Sequence, residues 1–213
     1  MPKKFLQIAL TTHCNFSCWH CPMAKYRNTD PKYPLNNKEL IPWIELFVRP
    51  SETLVELTGG EPALYKGIEE LCEWLSDHKY NVLIKTNGMI EIPSYPGIKR
   101  IAAFHQLKNP PKYFDEILIV DKIDREEKED ICQANRWKYH VIGKDSETID
   151  EIKHGFSFTA CVNAAGHSYR CFARQPVQAE RDGEDWNRIN HRQLEWFPCC
   201  HNCKAAHDAW IFL

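Results

Sequence analysis

Apolar residues in this 213-residue chain gather in short, nearly continuous runs separated by polar and proline-bearing connections. Six runs have strand length: FLQIALTT (5–12), TLVEL (53–57), NVLIKT (81–86), IKRIAAF (98–104), EILIV (116–120) and YHVIG (139–143). Runs that do not alternate with polar positions suit parallel strands covered on both faces. Between them, Ile68, Leu71, Cys72 and Leu75 recur at helical spacing and predict one buried helix face within 66–78. A second helix is expected over 37–48, with Pro42 delaying its start or bending it. Asp124 and Glu127 have the spacing of a capping box and predict a helix over 125–136. Pro93, Pro96–Gly97 and Pro110–Pro111 leave little room for long helices after the third and fourth strands. The alternation of strands and helices predicts an α/β fold with a parallel sheet.

The pattern changes near residue 156. FSFTACVNAAGHSYRCFA reads as a hairpin turning at Ala165–Gly166 with a cysteine on each arm, and a polar stretch (174–195) leads to FPCCHNC. The expected division is a sheet domain over 1–155 and a cysteine-bearing extension over 156–213.

Hydrophobic content of 43% is ordinary for a globular protein, and the formal net charge of −2 gives no overall electrostatic footprint for nucleic acid. No apolar run approaches the roughly 20 residues that cross a bilayer, and MPKKFLQIALTT reads as a first strand, not a signal peptide. A cytoplasmic location is expected, with no membrane and no nucleic-acid partner. In that reducing setting, clustered cysteines bind metal more often than they form disulfides.

Ten cysteines then change the picture. Cys14, Cys18 and Cys21 fall on the loop leaving the first strand, at the sheet end where parallel α/β folds place ligands. Three local thiolates on a [4Fe–4S] cubane leave one iron open for a non-protein ligand. The alternative is a closed zinc site completed by His13 or His20.

The second strand runs into TGGEP. Cx3Cx2C after the first strand and GGEP after the second together resemble the radical S-adenosylmethionine (radical SAM) superfamily over about residues 5–143. That resemblance implies a shortened partial (β/α)6 barrel with a [4Fe–4S] cluster on Cys14, Cys18 and Cys21. It also implies S-adenosylmethionine held by Gly59, Gly60, Glu61 and Pro62, with Glu61 and the loop backbone on its ammonium group. KTNG (85–88) resembles a family segment near the ribose, which makes Thr86 and Asn87 candidates. His20 stands where the family often has an aromatic packing near the adenine. The implied chemistry is reductive cleavage to a 5′-deoxyadenosyl radical that abstracts hydrogen from a substrate, fed by a donor such as flavodoxin or ferredoxin.

Of the other cysteines, Cys72 and Cys132 read as small buried residues within helices. Cys161, Cys171, Cys200 and Cys203 can close a four-thiolate site, with Cys199 a substitute for Cys200 or a spare thiol. Zinc fits that set as well as iron–sulfur. GHSYRC resembles the hairpin of Twitch and SPASM extensions, which implies a second, auxiliary [4Fe–4S] cluster able to take an electron from a substrate radical. The expected function is oxidation of a small hydroxylated or amino-bearing metabolite. Its alternatives are maturation of a ribosomally made peptide and a zinc-bearing, non-catalytic scaffold. His105 and Lys85 are candidates to orient substrate or accept a proton, with Glu56 also on a strand.

Overall fold

The computed structural model describes residues 4–18, 21, 24, 27–29, 35–119 and 124–142, together with the backbone of 158–162, 168–169 and 197–198. In chain order these form β1 (Lys4–Thr11), α1 (Asn37–Phe47), β2 (Thr53–Gly59), α2 (Ile68–Asp77), β3 (Asn81–Thr86), β4 (Ile98–Ala103), β5 (Glu116–Ile119), α3 (Arg125–Ala134) and β6 (Tyr139–Val141). The short strands β7 (Phe158–Val162), β8 (Ser168–Tyr169) and β9 (Phe197–Pro198) follow.

β1 to β6 pair in parallel in chain order, as the apolar runs predict, in an α/β partial-barrel arrangement. Helices cross over between β1 and β2, β2 and β3, and β5 and β6. The proline-rich connections on either side of β4 carry none. β7 then pairs in parallel with β1 on its other side, Lys4 opposite Phe158 and Gln7 opposite Cys161. The hairpin expected around 165 exists as the antiparallel β7–β8 pair, and the sheet continues past residue 155 through its first arm.

One face of the sheet carries the helices. Leu6, Ile8, Leu10, Val55, Leu57, Val82 and Ile84 pack with Leu40, Trp43 and Ile44 of α1 and Leu71, Cys72 and Leu75 of α2. Ile117 and Ile119 meet Cys132 of α3 and Phe104. The alternate positions, Phe5, Ala9, Leu54, Leu83, Ile101 and Leu118, lie on the opposite face and are buried too. Both faces are covered, hence the unbroken apolar runs.

Two local expectations are corrected. α1 starts at Asn37 and takes Pro42 into its interior; Asn36 caps it, its side chain accepting from the Glu39 amide. The buried Leu40, Trp43 and Ile44 supply the packing that offsets the hydrogen bond proline cannot make. The capping box at α3 does not form: Asp124 takes a left-handed backbone (φ 56°), which turns its side chain away from the first-turn amides.

Candidate cofactor site

The cysteine loop is closed at its base by polar latches. The Asn28 amide donates to the Thr12 carbonyl at 3.0 Å, and the Cys14 amide donates to Asn28 Oδ1 at 2.9 Å. Asn28 can do both because it adopts φ 57°, a conformation asparagine tolerates better than most residues. Arg27 reaches back to the Phe16 carbonyl at 3.1 Å. Within the loop the Phe16 amide points at Cys14 Sγ at 3.4 Å, and successive turns link Cys18 to Cys21 and Cys21 to Ala24.

Cys14, Cys18 and Cys21 are free thiols, each partly exposed. Burial pushes the Cys14 and Cys18 thiols up, and for Cys18 the neighbouring Cys14 and Cys21 add repulsion that disfavours the thiolate. A cationic centre among them relieves both effects. Among the described residues, no three His, Cys, Asp or Glu side chains converge on a single-ion site. A cubane does not ask for that convergence, since each thiolate binds a different iron. Three thiols on one irregular loop therefore fit a cluster.

The second strand delivers its glycines directly under this loop. The Gly60 amide donates to the Thr11 carbonyl and the Glu61 amide to the His13 carbonyl, both at 2.7 Å. A Cβ on Gly60 would sit 2.1 Å from the His13 oxygen; one on Gly59, at φ 128°, would sit 2.5 Å from the Thr11 oxygen. Glycine is required at both positions because backbone meets backbone there.

Glu61 is buried and turned inward. Its Oε1 accepts from the Ala63 amide at 3.0 Å and from Thr86 Oγ1 at 2.6 Å, and its Oε2 from the Asn87 amide at 2.7 Å. Burial raises its pKa, opposed by those three donors. The carboxylate thus ties the glycine loop to the end of β3. Asn87 passes the tie on: its Nδ2 donates to Asn15 Oδ1, between the first two cysteines, at 2.6 Å, while its Oδ1 accepts from the Met89 amide. Thr86 and Asn87, expected near a ribose, are both committed to this framework.

Other predicted residues fall nearby. His105, on the loop after β4, meets Phe16 of the cysteine loop edge-on, with ring centres 6.3 Å apart. Lys85 pairs with the fully buried Glu56, Nζ to Oε2 2.9 Å, and as an ion-paired ammonium it donates rather than accepts. His20, Cys171, Cys199, Cys200 and Cys203 lie outside the described residues, and Cys161 is described only as a backbone position in β7. Sequence reasoning missed Asn15 and Asn28. Their signal is slight, one asparagine within the cysteine motif and one seven residues after it.

Among the described residues no helix is long and apolar enough to cross a membrane. Residues 8–108 match the family model described as "Radical SAM superfamily". The chain is 37% identical over 98 residues to the mitochondrial GTP 3′,8-cyclase of Arabidopsis thaliana, covering 45% of this chain and 25% of that protein. It is 32% identical over 120 residues to the GTP 3′,8-cyclase of Aquifex aeolicus, covering 52% and 38%. These matches span well under half of either relative. In fold, the chain is similar to SuiB of Streptococcus suis with a TM-score of 0.60 at 13% identity, over 91% of this chain and 64% of that one. Residues 8–108, in which the cysteine loop, the GGEP loop and the end of β3 form one interlocked framework, are thus the part of the chain that is similar to the radical SAM superfamily.

Proposed function

We propose that this chain is a radical SAM enzyme whose Cys14, Cys18 and Cys21 hold a [4Fe–4S] cluster. Gly59, Gly60, Glu61 and Pro62 form the floor under bound S-adenosylmethionine. When bound, the cluster and S-adenosylmethionine supply a 5′-deoxyadenosyl radical that takes hydrogen from a substrate. The observation that carries the reading is the interlock of the two loops, with Gly60 pressed so close to His13 that no side chain fits. Such an approach leaves backbone groups, not side chains, to meet a ligand beside the cysteines.

This chain's own residues then have positional tasks. Glu61, Thr86, Asn87 and Asn15 keep the cysteine loop in register with the glycine loop. His105 and Phe16 wall the open side of the cysteine loop, where excluding water protects a reactive intermediate. Lys85 orients substrate.

The finer reading is net oxidation. Residues 156–213 form a Twitch-like extension in which Cys161, Cys171, Cys200 and Cys203 hold a second [4Fe–4S] cluster, the acceptor for one electron from the substrate radical. The β7–β8 hairpin beside β1 supports it, because it carries Cys161 into the sheet at the position opposite Gln7. The substrate is a small hydroxylated or amino-bearing metabolite.

Iron and acid-labile sulfide after anaerobic reconstitution test both levels, in the wild type and in a Cys14/Cys18/Cys21→Ala variant, alongside S-adenosylmethionine cleavage by a chemical reductant. About eight irons falling to about four are expected for two cubanes. About four falling to none removes the oxidation reading and leaves the radical one. Stable zinc with no cleavage overturns both in favour of a scaffold.

A further inference from the structure

The face of the sheet turned away from α1, α2 and α3 carries a band of charge that the cofactor site does not use. Gln7 on β1 is in register with Glu56 on β2, and Glu56 with Leu83, itself opposite Lys99 on β4. Lys85 on β3 is opposite Ile101, which is opposite Glu116 on β5, and Leu118 is opposite His140 on β6. Side chains in register point to the same face. The band therefore crosses six adjacent strands at roughly 4.8 Å spacing.

Its members are paired, but unequally exposed. Gln7 Nε2 donates to Glu56 Oε1 at 2.6 Å and Lys85 closes on Oε2 at 2.9 Å. Glu116 Oε1 holds Lys138 at 2.6 Å and Lys99 at 3.2 Å, and its Oε2 holds His140 at 2.9 Å. The carboxylates are sealed, with side chains 0% and 6% exposed. Their partners keep an open side, at 18% for Lys85, 35% for Lys99 and 28% for His140. Among the described residues the band is positive in balance, three lysines (Lys85, Lys99 and Lys138) against two carboxylates.

Stability alone does not call for it. Buried ion pairs are often no better than well-packed apolar side chains of the same volume, and the neighbouring positions on this face, Phe5, Ala9, Leu54, Leu83, Ile101 and Leu118, are apolar and fully packed. We propose that Lys85 and Lys99 dock an oxyanion of the substrate, a phosphate or a carboxylate, beneath the cysteine loop, with Glu56, Gln7 and Glu116 holding the two ammonium groups in place. The proposal deepens the functional reading above, since it names the substrate's charge class.

The test is calorimetric titration of the anaerobically reconstituted full chain with inorganic pyrophosphate in one arm and succinate in the other. Saturable binding by either is expected. Lys85→Gln and Lys99→Gln should each weaken it about tenfold, the loss of one charge-assisted contact. Lys38→Gln, on the exposed side of α1, should leave it unchanged. The arm that binds identifies phosphate or carboxylate as the group. Because Lys85→Gln leaves Glu56 buried without its cation, the Glu56→Gln/Lys85→Met double variant is measured beside it, and it must lose binding while remaining folded. Neither probe binding, or equal weakening by Lys38→Gln, overturns the proposal. Wild-type S-adenosylmethionine cleavage, scored separately, reports on the radical reading, so either can fail without the other.

Discussion

The two faces of this sheet are buried by different physics. Toward the helices, Leu6, Ile8, Leu57 and Ile84 meet Ile44, Leu71 and Leu75 in apolar contact with no direction to satisfy. Away from them, apolar residues share the surface with Gln7, Glu56, Lys85 and Glu116, every one of which has a named partner. The first face can be repacked with modest loss, because apolar cores tolerate volume-conserving change. The second depends on pairs, and half a pair is worse than none.

The sharpest way to break that comparison is to remove one partner. Lys85→Met should cost roughly 3–5 kcal/mol by leaving Glu56 buried without its cation, read as a shift of the urea midpoint. The Glu56→Leu/Lys85→Met double variant should recover most of that loss. If the double variant is as unstable as the single one, the charged face is not governed by pairing.

On the helix face, Leu71→Ala should cost about 2–5 kcal/mol through lost contact and the cavity left behind. No second substitution across the sheet should rescue it by supplying charge.

Acid should separate the faces next. Burial alone would raise the Glu116 carboxyl, but the hydrogen bonds from Lys138, His140 and Lys99 outweigh it and hold it below its ordinary 4.5. A carboxyl whose folded pKa is depressed stabilises fully above its unfolded value, and that stability is lost as pH falls through the folded one. Stability should therefore decline as pH drops below about 4.5, and Glu116→Gln should flatten that limb of the urea-midpoint profile. Leu71→Ala should shift the profile down without changing its shape.

The smallest effect belongs to a surface latch: Asn36→Ala, removing the α1 cap, should cost about 1 kcal/mol. It should leave iron content after reconstitution unchanged.

Much of this was legible in the chain. Strand positions followed from unbroken apolar runs, because a strand covered on both faces leaves no polar side to interrupt the pattern. Glu56 was legible as well: a polar residue inside TLVEL has to find a partner or a use; its partner Gln7, inside FLQIALTT, was passed over. The failures have physical reasons. A capping box was read at Asp124 from side-chain types alone, and the left-handed backbone there overrode them. The Asn87–Asn15 bond joins residues 72 positions apart across two loops, and no local rule sees it. The inward turn of Glu61 was hidden for the same reason, its partners Thr86 and Asn87 coming from another strand. The addition of β7 to the β1 edge lay beyond any periodicity, since a run such as FTACV states that it is a strand but not beside which one.

That last pairing has a consequence for the birth of the molecule. Lys4 leaves the ribosome long before its partner Phe158, so β1 waits with one edge unpaired while β2 to β6 are made. A free strand edge beside apolar residues is a template for the wrong neighbour. The strand that carries the cysteine loop is therefore completed only after the five strands that follow it, and loading of iron before that point would meet a sheet still missing a side.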